Sequence, residues 1–325
     1  MVLCSSRFSS IAWSKASNVT AAAGFPMGII VGGMTDGHVK FWNPAKLAAG
    51  DSDGALVATI LQHQGAVNGI QFNPNPESSH LLATGGADGE IFVMDCSKPS
   101  EPNVCVPAPP PSNAKHGAEV TRVAWNTKVA HILASADAKG STIIWDLKQK
   151  KAWCELKDPT GASTADIAWH PDQGLNIVTA SGDDKQPVIK LWDLRSSASL
   201  PLATLSGHTE GILSISWCPN DPTLLLSCGK DNKTMMWDLM HLQCVYELPN
   251  DTAISAGGMD NAMGFGALAA NNRYCLLPFN SSCICLYTFA SIVISMLIYC
   301  FALFHFDFLI VPSVMIFPGH HASHL

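Results

Sequence analysis

The feature that most constrains this chain is a short ending that recurs five times along the sequence. In each copy an apolar residue is followed by tryptophan, or by methionine in one copy, and then by aspartate or asparagine. The copies are Trp42-Asn43, Met94-Asp95, Trp145-Asp146, Trp192-Asp193 and Trp237-Asp238. Successive copies stand between 45 residues apart (Trp192 to Trp237) and 52 residues apart (Trp42 to Met94). A repeat of this length indicates an architecture in which one small unit is used several times.

Each copy of the ending lies in a unit that the sequence divides into four short strands. A first strand closes on an aromatic residue, as in Ile215-Ser216-Trp217, and a second apolar run ends in small residues, as in residues 224–229. The third strand carries the ending, and a fourth apolar stretch follows, as in residues 244–248. A single four-stranded sheet cannot cover its own faces, whereas stacked sheets cover one another. The pattern therefore predicts an all-β WD-repeat β-propeller with five recognisable four-stranded blades of an incomplete seven-blade ring.

The repeat also predicts the domain boundaries. We expect a propeller over residues 1–249 and a divergent, apolar tail over residues 250–325. The five blades are predicted at residues 7–63, 64–116, 117–160, 161–208 and 209–249. The proline-rich stretch of residues 97–113 is predicted to be a long, extended and exposed connection between blades.

Residues 284–304 of the tail are a candidate membrane-spanning helix. They contain no charged side chain, and a stretch of 21 residues is long enough to cross a bilayer. One interpretation is a genuine C-terminal membrane anchor. The other interpretation, which we favour, is a non-native tail that stands in place of the strands with which a propeller would continue. No Lys or Arg follows Arg273, so the usual signal for orientation in a membrane is weak.

The charge and cysteine content restrict the classes of function. The net charge is −7 and no long basic stretch offers a surface for phosphate groups, so nucleic acid is not an expected partner. The 11 cysteines are odd in number and lie mostly in apolar runs, which is typical of reduced thiols in a cytoplasmic protein. Residues 1–13 lack a basic segment followed by an apolar one, so they do not resemble a secretory signal.

One blade carries four residues that we expect to form a structural hydrogen-bond set. They are His208, Ser227, Asp231 and Trp237. An imidazole, a hydroxyl, a carboxylate and an indole N–H can satisfy one another when they are buried together. The alternative, a catalytic His–Asp pair, is disfavoured because the spacing follows the repeat and no nucleophile is implied.

The tryptophans of the repeated ending are expected to close the blades. These blade-closing residues are Trp42, Trp145, Trp192 and Trp237. The other blades are expected to keep less of the hydrogen-bond set: the second retains His63, Thr84 and Asp88 but carries Met94 at the tryptophan position. We find no paired carboxylates, Cys–His dyad, glycine-rich phosphate loop or metal cluster at meaningful spacing. The sequence therefore predicts no enzyme, no cofactor and no metal site.

Several segments are more distinctive than the general repeat. They are Gly32-Gly33-Met34-Thr35-Asp36-Gly37, Phe41-Trp42-Asn43-Pro44, the run over residues 125–135, and Lys230-Asp231-Asn232-Lys233-Thr234. In this order and spacing they resemble the N-terminal WD-repeat propeller of the larger outer-coat subunit of the COPII vesicle coat. The resemblance covers residues 7–249. It lacks a counterpart of the family's first blade, and it ends after Pro249.

The resemblance implies a non-enzymatic scaffold that acts in transport from the endoplasmic reticulum to the Golgi through propeller-mediated contacts. The implied partners are the smaller WD-repeat subunit of the outer coat and the inner-coat proteins. The implied location is cytoplasmic, peripheral on the membrane at endoplasmic reticulum exit sites and COPII vesicles. Because the family's cage-edge and partner-binding segments lie outside the resemblance, we expect a partial module with exposed blade faces.

The alternative function is that of a WD-repeat substrate adaptor of a cullin-type ubiquitin ligase. Such adaptors carry a Trp-Asp-x-Arg tetrapeptide, and Trp192-Asp193-Leu194-Arg195 is similar to it. In the preceding blade, Lys148 stands where a second copy would have arginine. Binding to a ligase adaptor or to the smaller coat subunit would separate the two functions.

Overall fold

A computed structural model describes residues 6–14, 24–105, 116–196, 199–218 and 221–247. The tail at residues 250–325, with its candidate helix at 284–304, lies outside these described residues. Within them, no helix has the length and apolar character needed to cross a bilayer.

The described residues form five antiparallel sheets of four strands, each in sequence order. The first sheet contains β1 (Phe8–Trp13), β2 (Ile30–Met34), β3 (His38–Trp42) and β4 (Leu56–Leu61). The second contains β5 (Val67–Phe72), β6 (Leu81–Gly86), β7 (Ile91–Asp95) and β8 (Asn103–Cys105). The third contains β9 (Val120–Trp125), β10 (Ile132–Asp137), β11 (Ser141–Asp146) and β12 (Lys151–Lys157).

The last two sheets repeat the same arrangement. The fourth contains β13 (Thr164–Trp169), β14 (Asn176–Ser181), β15 (Val188–Asp193) and β16 (Ala203–Ser206). The fifth contains β17 (Ile212–Trp217), β18 (Leu224–Gly229), β19 (Thr234–Asp238) and β20 (Gln243–Glu247). The prediction of an all-β chain with five four-stranded blades is thus confirmed, and the repeated ending lies on the third strand of each sheet.

Short helical segments occur only between strands in the described part of the chain. They are α1 (Pro44–Ala48), α2 (Ser52–Ala55) and a 3-10 turn at Pro76–Ser78. Asn43 begins α1, because its side-chain oxygen accepts a hydrogen bond from the Ala45 N–H at 3.0 Å. Asp51 caps α2 in the same way.

The proline-rich stretch of residues 97–113 is not a connection throughout, and the prediction was wrong for three of its residues. Strand β8 lies inside it and pairs with β7, with Cys105 opposite Val93. The reason is that residues 103–105 contain no proline, so each can donate its backbone N–H to a ladder.

Consecutive sheets pack through their first strands. Strand β1 contacts β5, β5 contacts β9, β9 contacts β13, and β13 contacts β17. An apolar cluster fills the space between each consecutive pair of sheets. Every residue of β10 is buried, and its side chains alternate between clusters: Leu133 packs toward the second sheet, whereas Ile132 and Ala134 pack toward the fourth. Inner strands that are covered on both faces are buried along their whole length for this reason.

Candidate functional site

The fifth sheet brings the four residues of the predicted hydrogen-bond set into one connected chain. The indole N–H of Trp237 donates to Ser227 Oγ at 2.8 Å, and Ser227 Oγ lies 2.6 Å from His208 Nε2. His208 Nδ1 lies 3.0 Å from Asp231 Oδ2. With the imidazole proton on Nδ1, every donor in the chain has an acceptor. The chain joins the loop between β16 and β17, which carries His208, to β18, to β19 and to the turn between β18 and β19.

Asp231 also holds the backbone around it. Burial is the largest influence on its pKa and would raise it, but hydrogen bonds from Thr209 N–H, His208 and Lys233 N–H together outweigh burial and lower the pKa. The Thr209 N–H donates to Asp231 Oδ2 at 2.9 Å, and the Lys233 N–H donates to Oδ1 at 3.1 Å. The carboxylate therefore stays ionised and ties the start of the blade to the turn that precedes β19.

The second sheet has the same chain without the indole. His63 Nε2 lies 3.0 Å from Thr84 Oγ1, and His63 Nδ1 lies 3.1 Å from Asp88 Oδ1. Burial is the main influence on the pKa of His63 and lowers it, although Asp88 acts in the opposite direction. Met94 occupies the tryptophan position and is fully buried, and its side chain has no N–H to donate to Thr84.

The third sheet holds a second complete set, which the sequence pattern missed. The Trp145 indole N–H donates to Ser135 Oγ at 2.8 Å, and His116 Nε2 lies 2.7 Å from the same oxygen. His116 Nδ1 lies 2.9 Å from Asp137 Oδ2. The expectation that every other blade keeps less of the set was therefore wrong.

The sequence pattern did not identify the third set because its aspartate lies at a different distance from the hydroxyl residue than in the fifth sheet. Asp231 follows its hydroxyl residue by four positions, whereas Asp137 follows Ser135 by two. In the fifth sheet that position is Gly229, where an added Cβ would lie 2.6 Å from His208 Nδ1. The second and fifth sheets, whose aspartate follows the hydroxyl by four positions, have Gly86 and Gly229 there, whereas the third sheet has Asp137. A search for aspartate at either spacing after a strand hydroxyl would have found the third set.

The fourth sheet replaces the imidazole by a buried ion pair. The Trp192 indole N–H donates to Thr179 Oγ1 at 2.9 Å, but no histidine of the described residues bonds to this hydroxyl. Instead, Lys190 of β15 forms an ion pair with Asp158, and both side chains are largely buried. Asp158 follows the last strand of the third sheet, so the ion pair joins two sheets. The pair borders a cavity of about 10 Å³, close to the space one water molecule needs.

Trp42 closes the first sheet by a different contact. Its ring lies 5.5 Å from the ring of Phe8 at an angle of 50°. The hydroxyl position of the other sheets is here Gly32, where an added Cβ would collide with Phe8 and approach Trp42. The four predicted blade-closing tryptophans thus share a strand position and burial, but they do not share one hydrogen-bond partner.

Polar side chains also join the first strands of neighbouring sheets. The Trp169 indole N–H donates to the Ala124 carbonyl at 2.9 Å, which links the fourth sheet to the third. Asp166 accepts hydrogen bonds from Ser214 Oγ at 2.7 Å and from the Ile215 N–H at 2.9 Å, which links the fourth sheet to the fifth. These bonds lie within the buried interior, where an unpaired polar group is expensive, so they favour one relative position of the sheets.

The Ser–His–Asp composition of two sets equals that of a hydrolytic triad, but the geometry leaves no room for a substrate. Ser135 is 0% exposed and Ser227 is 1% exposed, and each hydroxyl already receives an indole N–H. Nucleophilic attack requires an oxygen that a substrate carbonyl can approach. Among the described residues, no three or more His, Cys, Asp or Glu side chains are arranged to hold a metal ion.

In the tetrapeptide that resembles a ligase-adaptor motif, the arginine side chain bonds to the aspartate of the same tetrapeptide. Arg195 donates from Nε to Asp193 Oδ1 at 2.9 Å and from its terminal nitrogen to Oδ2 at 2.8 Å. Hydrogen bonds from Arg195 are the main cause of a lowered pKa of Asp193. The guanidinium is exposed, and its fork is directed at its own aspartate.

A family model, curated relatives and solved structures all match the propeller part of this chain. The family model described as the nucleolar protein 10-like N-terminal domain, a β-propeller model, matches residues 41–237. SEC31 of Dictyostelium discoideum, a protein transport protein, is 40% identical over 258 residues, covering 77% of this chain and 18% of that protein. Sec31A of Danio rerio is 37% identical over 230 residues, covering 70% of this chain and 18% of that protein. The chain thus spans about a fifth of the length of these curated relatives.

A solved structure of COPII on membranes, outer coat vertex, matches with a TM-score of 0.62 and 32% identity, over 76% of this chain and 62% of that chain. A structure of the COPII coat assembled on membranes matches with the same score and identity, over 34% of that chain. These matches show that the chain belongs to the family of β-propeller domains that the nucleolar protein 10-like model describes, and that its propeller is homologous to SEC31.

Proposed function

We propose that this chain is a non-enzymatic scaffold module of the COPII outer coat, acting in transport from the endoplasmic reticulum to the Golgi. The observation that carries the proposal is the 32% identity and TM-score of 0.62 to a chain in the outer coat vertex, over 76% of this chain. The identity of 40% to the protein transport protein SEC31 supports the same role.

The packing of the described residues supports a scaffold rather than a catalyst. The strongest nucleophile candidates, Ser135 and Ser227, are buried and saturated with hydrogen bonds. Four apolar clusters and the polar links between first strands hold consecutive sheets in one arrangement. A rigid body of this kind can present surfaces to partners at low conformational cost.

The proposed partners are the smaller WD-repeat subunit of the outer coat and the inner-coat proteins. The proposed location is cytoplasmic and peripheral on the membrane, at endoplasmic reticulum exit sites and on COPII vesicles. We assign these contacts to the propeller of residues 1–249, with blades at 7–63, 64–116, 117–160, 161–208 and 209–249. Residues 250–325 are assigned to a divergent tail.

The test is recruitment of the full chain to liposomes that carry an assembled inner coat, with and without the smaller outer-coat subunit. We expect the chain to float with coated liposomes and to remain in solution with bare ones. Carbonate washing should release it, as it does a peripheral protein. Equal flotation with bare liposomes, or retention after carbonate, would contradict a peripheral coat role.

A matched variant separates the coat role from the ligase-adaptor alternative. Arg195→Ala removes the arginine of the adaptor-like tetrapeptide, and this side chain is exposed and bonded only to Asp193 among the described residues. We expect unchanged recruitment to coated liposomes and no capture of a cullin ligase adaptor by either form. Capture of the adaptor by the parent chain and its loss in the variant would favour the alternative.

A further inference from the structure

The turn between β11 and β12, together with the first residue of β12, carries three lysines within four residues. They are Lys148, Lys150 and Lys151, and all three side chains are exposed. Asp146 organises the turn, because its Oδ1 accepts hydrogen bonds from the Lys148 N–H at 2.9 Å and the Gln149 N–H at 3.0 Å. Lys150 adopts a φ of 52°, in the left-handed region that favours glycine or asparagine.

The fold does not require lysine in this turn. The fifth sheet forms the same turn between β19 and β20, where Asp238 Oδ1 accepts from the Met240 N–H at 2.8 Å and the His241 N–H at 3.2 Å. Leu242 there has a φ of 55°, matching Lys150. Because an equivalent turn forms without lysine, the aspartate and the left-handed position define the turn, and its geometry does not account for the three lysines.

The three ammonium groups have no acidic partner within the described part of the chain. No ion pair there includes Lys148, Lys150 or Lys151. The carboxylates beside them are engaged elsewhere: Asp146 caps the turn, and Glu155 accepts from Ser141 Oγ at 2.6 Å and pairs with Lys157 at 3.2 Å. The turn therefore presents three lysines outside any ion pair of the described residues, on a chain whose net charge is −7.

An exposed tryptophan adjoins this charge. All nine tryptophans lie in the described residues, and among them Trp153 alone is exposed, at 45%. A β-bulge places it there: Ala152 pairs with Trp145 and Cys154 pairs with Ile144, so Trp153 has no partner on β11. Bulges re-aim a side chain and disturb regular pairing along an edge.

The bulge also explains why Trp153 is not buried. Ala152 packs against the cluster between the second and third sheets, and Cys154 packs against the cluster between the third and fourth. The intervening residue faces neither cluster and stays on the outer edge. A large aromatic ring in water is a common centre of binding energy in protein interfaces, whereas it contributes little to folding there.

We propose that Lys148, Lys150, Lys151 and Trp153 form a docking surface for an acidic linear segment of a partner protein that carries an apolar residue. The lysines would pair with its carboxylates, and Trp153 would be covered by its apolar side chain. Charge complementarity argues for this occupant, since the patch is basic while the chain is acidic overall. The surface is assigned from geometry alone and does not depend on the coat role.

A narrow segment fits better than a flat anionic membrane. Glu155 is exposed on β12 two residues beyond Trp153. A bilayer that reached the tryptophan would also meet this carboxylate, whereas a single extended segment can run from the turn to Trp153 without crossing it. Vesicles of phosphatidylserine therefore serve as the competing probe.

The test measures fluorescence anisotropy of a labelled peptide of Glu and Asp residues around a central Leu, added to the full chain. We expect saturable binding that weakens in high salt, since exposed charges are screened. Trp153→Ala should weaken binding about tenfold, as loss of an interface aromatic does. Lys150→Asn should weaken it several-fold while raising the melting temperature, because asparagine tolerates the left-handed backbone better than lysine.

Lys185→Glu is the matched control, an exposed lysine in a turn of the fourth sheet without an ion pair among the described residues. It should leave binding within about twofold, since single distant charges are screened. An equal loss in Lys185→Glu would show general attraction and overturn the proposal, as would full affinity in Trp153→Ala. Stronger binding to phosphatidylserine vesicles than to the peptide would assign the surface to lipid instead. Circular dichroism of each variant establishes that the fold is retained.

Discussion

Removal of the Asp137 carboxylate tests the buried hydrogen-bond sets most directly. Its Oδ2 lies 2.9 Å from His116 Nδ1, and its Oδ1 accepts from the Lys139 N–H at 2.9 Å and the Ser141 N–H at 2.8 Å. Asp137→Ala removes all three hydrogen bonds at once. His116 is 4% exposed, so water cannot replace its lost partner.

The magnitude follows from these contacts. A buried donor left unpaired destabilises a protein by about 1–3 kcal/mol, and each turn N–H that loses its acceptor adds roughly 0.5–1 kcal/mol. We therefore expect Asp137→Ala to lower the free energy of unfolding by about 3 kcal/mol, which is a large part of the roughly 5–15 kcal/mol typical of a folded protein. Urea denaturation followed by tryptophan fluorescence measures the loss.

Asp172→Ala is the matched control, because Asp172 is exposed and pairs only across the surface with Lys128 at 3.2 Å. It should change the free energy of unfolding by less than about 0.5 kcal/mol. If the two variants were equally stable, the buried set would contribute nothing measurable, and the account of the third sheet would be refuted.

The pH dependence gives a second readout of the same variant. Burial would raise the pKa of Asp137, but hydrogen bonds from His116, the Ser141 N–H and the Lys139 N–H outweigh it and hold the pKa below the ordinary value of 3.8. A carboxyl whose folded pKa is lowered stabilises the fold above its unfolded pKa, and this stability is lost as the pH falls through the folded pKa. The difference in free energy of unfolding between the parent chain and Asp137→Ala should therefore become smaller below about pH 4.

Two further substitutions test the packing around the sets. Gly229→Ala would place a Cβ 2.6 Å from His208 Nδ1, so we expect urea denaturation to show a free energy of unfolding that is lower by about 1–3 kcal/mol. Gly117→Ala should leave this free energy almost unchanged, because the space around Gly117 is open. Lys190→Met leaves the largely buried carboxylate of Asp158 without its cationic partner, so the free energy of unfolding should fall by about 3–5 kcal/mol. Lys128→Met breaks an exposed pair and should lower it by less than about 1 kcal/mol. Equal losses within either pair would contradict the burial argument.

The repeat in the sequence determined the five sheets and the strand that carries each tryptophan. This was predictable because alternation of apolar residues and the small residues at strand ends are local properties, and stacking buries the facing sides of consecutive sheets. The set of His208, Ser227, Asp231 and Trp237 could be proposed for the same reason, since it recurs at repeat spacing.

Only the tertiary structure decided which polar groups meet across that framework. Asp137 completes the third set from an unexpected position, because the imidazole Nδ1–H can donate to a carboxylate carried by either of two nearby backbone positions. Lys190 reaches Asp158 of another sheet, a distance of 32 residues in sequence that no local pattern encodes. The bulge that exposes Trp153 arises from the register of β12 against β11. Local pattern specifies strands and faces, whereas register and packing between sheets select the partners of each buried polar group.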